Sequence, residues 1–219
     1  MSTFDCADPI ARRAGLEAAA DAAASGQLVV LPTDTVYGIG ADAFNAAAVR
    51  ALLAAKGRGP DMPVPVLVGS WTTIEGLVTA VPPVARTLVE AFWPGGLSLV
   101  IEHAPSLRWD LGEAKGTVMV RMPLHPVAID LLREVGPMAV SSANISGRPE
   151  AGDATAILDQ LGEAIELVLD GGAAHGGPAS TVVDCTGERP RVVRPGAIPT
   201  ERISEILATV GLVLDADAG

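Results

Sequence analysis

The sequence predicts one α/β domain built on a twisted, mixed β-sheet flanked by helices. Three observations carry that reading. Helical runs alternate with short apolar runs of strand character along the whole chain. Some strand-like runs are joined by helices and others by turns, which suits a mixed sheet better than a doubly wound one. No internal repeat or low-complexity linker divides the 219 residues, a length that suits one large domain or two small ones.

The elements follow in order. Asp8 and Pro9 open a first helix as N-cap and first helical residue, and its Ala-rich run reaches Ala24 before Gly26 stops it. Gln27 to Leu31 reads as a buried strand. Asn45 caps a second helix through Ala55, ended by Gly57. Val64 to Val68 reads as a strand, and Pro65 within it predicts an edge position or a bulge. Helices are expected over Thr72–Leu77 and Pro83–Phe92, and strands over Leu97–Glu102 and Thr117–Arg121. His125-Pro126 opens a helix that ends near Gly136. Met138–Ser141 is a strand, Ala154–Leu161 a helix and Leu167–Leu169 a strand. Thr181–Cys185 and Arg191–Val193 are late strands, and Thr200–Val210 is a closing helix. Ala104–Gly116 reads as a surface connection. Gly171–Ala179, with four glycines in nine residues, reads as a plain connection or as a lid over a site.

Composition narrows the function classes. At 49% hydrophobic the chain can bury a full core. No run is apolar and long enough for a transmembrane helix, and no secretory signal pattern is visible at the N-terminus, so a cytoplasmic protein that engages no membrane is expected. Two cysteines, Cys6 and Cys185, lack metal-ligand or redox spacing, and His103, His125 and His175 are scattered, so no dedicated metal site is expected. The net charge of -11 argues against tight, non-specific nucleic-acid binding, although a local basic cleft is compatible with it. Only Lys56 and Lys115 are lysines, and Lys56 stands inside a motif.

Six segments could carry chemistry. Pro32–Gly38 (PTDTVYG) gathers hydroxyls, a carboxylate and the sole tyrosine after a buried strand, where open α/β sheets commonly bind ligands; it reads equally as a Thr/Asx turn. Lys56-Gly57-Arg58 puts two cations on a loosened loop, suited to a polyphosphate or to the negative end of the preceding helix. Along Thr117–Arg121, alternation places Thr117, Met119 and Arg121 on one face, with Arg121 aimed at an anion or paired at the rim. Ser141–Pro149 (SSANISGRP) makes a nest-like loop able to receive phosphate, or a polar loop bonded to its own backbone. Ser180–Asp184 and Arg194-Pro195-Gly196 add a strand-edge hydroxyl and another cation. Neither G-x-x-x-x-G-K-[ST] nor G-x-G-x-x-G occurs, so a nucleotide would need another device.

Taken in order, PTDTVYG (Pro32–Gly38), KGR (Lys56–Arg58), FWPGGLSLV (Phe92–Val100), TVMVRMPLHP (Thr117–Pro126), SSANISGRP (Ser141–Pro149), STVVD (Ser180–Asp184) and VVRPGAI (Val192–Ile198) resemble the YrdC-type family of L-threonylcarbamoyladenylate synthases. The resemblance implies one α/β domain with an open central cavity, here spanning residues 1–213 with a short tail over 214–219. It implies condensation of L-threonine, bicarbonate and ATP, with Mg2+ on the triphosphate, to threonylcarbamoyl-AMP and pyrophosphate. The product would pass to the transferase complex that modifies tRNA. By motif, Lys56, Arg58, Ser142 and Asn144 correspond to the ATP-holding groups, with Lys56 and Arg58 as the catalytic cations. Thr117, Arg148 and Arg194 would lie near the nucleotide. Thr33, Arg121, Ser180 and the backbone of Val140 would contact threonine, Arg121 at its carboxylate and Val140 at its amine. Leu67 stands where many relatives carry a histidine, and Ala179 where many carry a glutamate. An RNA-binding paralogue without adenylation, and a larger carbamoyltransferase-type chemistry, are the competing readings. The acidic charge weighs against the first, and the absence of appended segments against the second.

Overall fold

The computed structural model describes residues 1–174 and 177–215. Among them ten strands join one sheet: β1 (Ser2–Asp5), β2 (Val29–Leu31), β3 (Gly38–Asp42), β4 (Val66–Leu67), β5 (Leu97–Glu102), β6 (Thr117–Arg121), β7 (Met138–Ser142), β8 (Leu167–Asp170), β9 (Thr181–Asp184) and β10 (Arg191–Arg194). Their order is β1-β8-β2-β3-β7-β4-β6-β5-β9-β10. The β1–β8, β2–β8, β4–β6 and β5–β9 pairs are parallel, and the remaining neighbours are antiparallel. The sheet is therefore mixed, as expected.

Seven α-helices cover it: α1 (Pro9–Ala24), α2 (Ala46–Ala55), α3 (Ile74–Leu77), α4 (Pro83–Phe92), α5 (Pro126–Val135), α6 (Ala154–Leu161) and α7 (Thr200–Ala208). Asp8 caps α1 by accepting from the Ile10 and Ala11 amides, and Asn45 caps α2 in the same way. Strand alternation divides the core between two faces. Val29, Leu31, Leu67, Met138, Val140, Leu167 and Leu169 pack under α1 and α5. Val30, Val66, Val68, Ala139 and Val168 point the other way, toward α2, α3, α4, α6 and α7. Both faces are thus buried, which explains why the strands read as short continuous apolar runs.

Two strands were not legible in the sequence. β1 is an N-terminal edge strand with mostly exposed residues. β3 contains Gly38 and Gly40, which carry no strand propensity. A Cβ on Gly38 would lie 2.5 Å from Val140 Cγ1, so its glycine lets β7 side chains close over β3.

Pro65 is a correction. The strand after it, β4, is interior, paired to β6 on one side and β7 on the other. Pro65 is tolerated because it precedes the two paired residues and its carbonyl still accepts from the Val140 amide at 2.9 Å. The Ala104–Gly116 segment also does more than cross the surface: Leu111 is buried and its carbonyl accepts from Val64 N. At the C-terminus Asp215 N donates to Pro190 O; of the expected tail, 216–219 lie outside the described residues.

Candidate functional site

A cavity of about 210 Å³ opens on the sheet face that carries Leu67, Arg121 and Val140. Of the residues singled out in the sequence, Thr33, Arg58, Arg121, Val140, Ser142, Ser180 and Arg194 line it. Lys56 and Asn144 lie behind its wall, and Thr117 and Arg148 are not part of the lining. A strand advances about 3.3 Å per residue, so Thr117 stands roughly 13 Å from Arg121, at the other end of β6. Its hydroxyl is spent on the Ala114 carbonyl at 2.7 Å. Arg148 contributes its backbone carbonyl, which accepts from Asn144 Nδ2 at 2.8 Å.

One end of the cavity is built around Arg121. Its guanidinium is 6% exposed and fixed by three bonds: Nε to Gly95 O at 2.9 Å, Nη1 to Thr35 Oγ1 at 2.9 Å and Nη2 to Asp34 Oδ1 at 2.6 Å. The same Asp34 oxygen accepts from Leu124 N at 2.9 Å, so the carboxylate is itself anchored. Burial lowers the Arg121 pKa, Asp34 works against that, and the nearby Arg194 charge adds to it. A guanidinium has five N–H donors, so bonds remain for a ligand.

Thr33 sits beside this group. Its hydroxyl donates to Val36 O at 2.6 Å and accepts from Thr35 N at 3.2 Å, with Thr35 Oγ1 also 3.2 Å away, so it is engaged within its own segment. The open acceptor comes from the backbone. The Val140 amide bonds Pro65 O, and a reciprocal bond would need an N–H on residue 65. Proline has none, so the Val140 carbonyl keeps an open acceptor position between β4 and β7. A buried arginine with donors to spare beside an open carbonyl suits a zwitterion, carboxylate on one side and ammonium on the other. Leu67, the parallel partner of Arg121, and Met119 and Val140 give this end an apolar wall.

The other end is cationic and hydroxyl-rich. Arg58 donates from Nε to Ser146 Oγ at 2.7 Å and from Nη1 to Ser141 Oγ at 3.2 Å. Arg194, near enough for its charge to act on Arg121 as well, holds Ser180 through its carbonyl, at 3.1 and 2.9 Å, and its hydroxyl, at 3.0 Å. Burial lowers the Arg194 pKa, with Glu150 opposing. Ser180 Oγ also meets Ser98 Oγ at 2.8 Å. Ser142 and Ser141 complete the rim, and Glu150 is the one carboxylate among the lining residues. An acidic protein therefore carries a local cationic cleft, large enough in charge for a polyphosphate.

Sequence reasoning missed Ser98 and Glu150. Ser98 had a signal: a polar residue between Leu97 and Leu99 in the apolar run of a strand whose only other polar residue, Glu102, is its exposed last one. Glu150 had none, because it lies in a loop and only the fold brings it to the cavity.

The family model Sua5/YciO/YrdC, described as "Telomere recombination", matches residues 21–196, which include every lining residue. The chain belongs to this family. A Sua5/YciO/YrdC relative from Mycobacterium tuberculosis (strain ATCC 25618 / H37Rv), provisionally named a threonylcarbamoyl-AMP synthase, is 65% identical over 205 residues, 94% of each chain. The threonylcarbamoyl-AMP synthase of Bacillus subtilis (strain 168) is 39% identical over 84% of this chain and 54% of its own length. Among solved structures, Sua5 from P. abyssi complexed with L-threonine superposes with a TM-score of 0.85 at 36% identity. That superposition covers 91% of this chain and 58% of the other, so the chain spans a little over half of these two longer relatives.

Proposed function

We propose that this chain is an L-threonylcarbamoyl-AMP synthase: it joins L-threonine, bicarbonate and ATP and releases pyrophosphate. The observation that carries the reading is that one cavity is lined both by Arg121 with the open Val140 carbonyl and by Arg58 with the Ser141–Ser142 rim. The relatives' names and the threonine complex of Sua5 support it.

The chemistry needs little covalent help. An oxygen of the threonine carbamate attacks the α-phosphorus of ATP, the α–β bridging bond breaks, and pyrophosphate leaves with the electron pair. Such a step gains chiefly from positioning and from charges fixed where negative charge develops. Arg121, Thr33, Ser180 and the Val140 carbonyl orient the amino acid. Arg58, Arg194 and Ser142 face the phosphates. No residue is assigned as a general base.

Mg2+ fits as a companion of ATP. Among the described residues no group of three or more His, Cys, Asp or Glu side chains could hold a metal. Magnesium is commonly held by one or two carboxylates together with substrate phosphates, and Glu150 supplies one carboxylate at the cavity. When bound, the ion offsets charge on the departing pyrophosphate.

The activated product is then handed to a tRNA threonylcarbamoyl transferase complex, in the cytoplasm. No helix among the described residues is long and apolar enough to cross a membrane. Pyrophosphate release tests the reading: it is expected only with ATP, bicarbonate and threonine all present, and release indifferent to threonine or bicarbonate would refute it.

A further inference from the structure

Lys56 presents a contradiction between its residue type and its place. A lysine beside a nucleotide site is expected to reach a phosphate, yet this one is 1% exposed and lies outside the cavity lining. Its Nζ is surrounded by four oxygens: the carbonyls of Ser142 and Asn144, Ser142 Oγ at 3.1 Å and Asn144 Oδ1 at 3.0 Å. An ammonium has three protons, so four acceptors leave none for a ligand.

We propose that Lys56 is a positioning residue that does not touch nucleotide, and that it works by donating into Ser142 and Asn144 from behind the cavity wall. This rests on the adenylation reading above. The consequence falls on Ser142. A hydroxyl that accepts from an ammonium turns its own proton elsewhere, and Ser142 lines the cavity, so its O–H becomes a polarised donor on the ligand side. Asn144 is locked at the same time. Its Oδ1 accepts from Lys56 while its Nδ2 donates to the Arg148 and Ile145 carbonyls, which folds the whole Ser142–Arg148 loop around the ammonium. The loop is then tied back to the lysine's own backbone, since Ser146 N donates to Lys56 O at 3.1 Å. Arg58, two residues on, grips the same loop from the cavity side through Ser141 and Ser146. Lysine inside and arginine outside thus divide the work: one shapes the loop and the other presents charge. Pulling Lys56 out to a phosphate would strand two buried carbonyls, which is costly. Burial lowers its pKa to about 8, the Arg58 charge adds to that and Glu150 opposes it, so at neutral pH the ammonium is still charged.

Two experiments test this. Lys56 and Lys115 are the only lysines, and Lys115 is exposed, so it serves as an internal control. Reductive methylation of the native protein, read by peptide mass, is expected to modify Lys115 and spare Lys56, with or without ATP. Labelling of Lys56 in the free protein, whether or not ATP shields it, overturns the proposal.

The second is a double-mutant cycle on the Kd of a non-hydrolysable ATP analogue, using Lys56→Met and Ser142→Ala. Each single change is expected to weaken binding about tenfold, and the pair clearly less than the product of the two, because they share the Ser142 route. Additive losses of roughly 100-fold would mean that Lys56 binds nucleotide on its own account. A lowered melting temperature with unchanged Kd for Lys56→Met would make it a purely structural lysine, which also overturns the proposal. Wild-type protein that fails to bind the analogue would instead remove the adenylation reading itself. If Lys56→Met does not fold, Lys56→Arg takes its place in the cycle, and the same outcomes decide.

Discussion

Arg58→Ala is expected to lower the rate of pyrophosphate release about 10²–10³-fold while leaving the fold intact. The size of the effect follows from where the guanidinium stands. Two of its five N–H donors are used on Ser146 and Ser141, both neutral, and among the described residues it forms no ion pair, so its charge is available at the cavity. A half-buried arginine of this kind costs little to remove, since the two serines can turn to water. Its absence is felt when negative charge builds on the leaving pyrophosphate. Arg58→Lys is expected to recover only part of the loss, because an ammonium cannot reproduce the planar fork or hold both serines. Kinetics alongside a melting curve check this; a variant with normal turnover would remove Arg58 from the phosphate end.

Arg121→Ala is expected to act on both stability and substrate binding. The residue forms a buried ion pair with Asp34, and taking away one partner of such a pair costs about 3–5 kcal/mol. The melting temperature should fall on the order of 10 °C. The Gly95 carbonyl and the Thr35 hydroxyl lose their donor in the same stroke. Threonine affinity should drop steeply, while the Kd of an ATP analogue changes far less, because Arg58 is held by Ser141 and Ser146 and shares no hydrogen-bond partner with Arg121. Equal loss for both ligands would contradict the division of the cavity into two ends.

The sequence made the helices legible because their signals are local. Asp8 with Pro9, Asn45, and Pro126 after His125 mark starts by backbone chemistry that the fold does not alter. What it could not show was pairing. Pro65 argued for an edge by itself, yet a strand of two paired residues can begin after it inside the sheet. The glycines of β3 gave no strand signal, and it is pairing with β2 and β7 that makes the segment a strand. The site divided along the same line. Arg121 and Ser142 were marked by residue type at strand ends and Arg58 on the loop past a helix, whereas the oxygen cage around Lys56 and the open carbonyl of Val140 come from contacts between segments distant in sequence. A motif names the residues that matter here, and the three-dimensional placement decides which of them meet a ligand.

The central claim is that one cavity brings a threonine carbamate to the α-phosphorus of ATP. The most direct measurement is incubation with ¹³C-bicarbonate, ATP, Mg2+ and L-threonine, followed by mass analysis of the nucleotide products. The account predicts threonylcarbamoyl-AMP carrying the label. Unlabelled AMP or ADP as the only nucleotide product, with no labelled adduct, would contradict it.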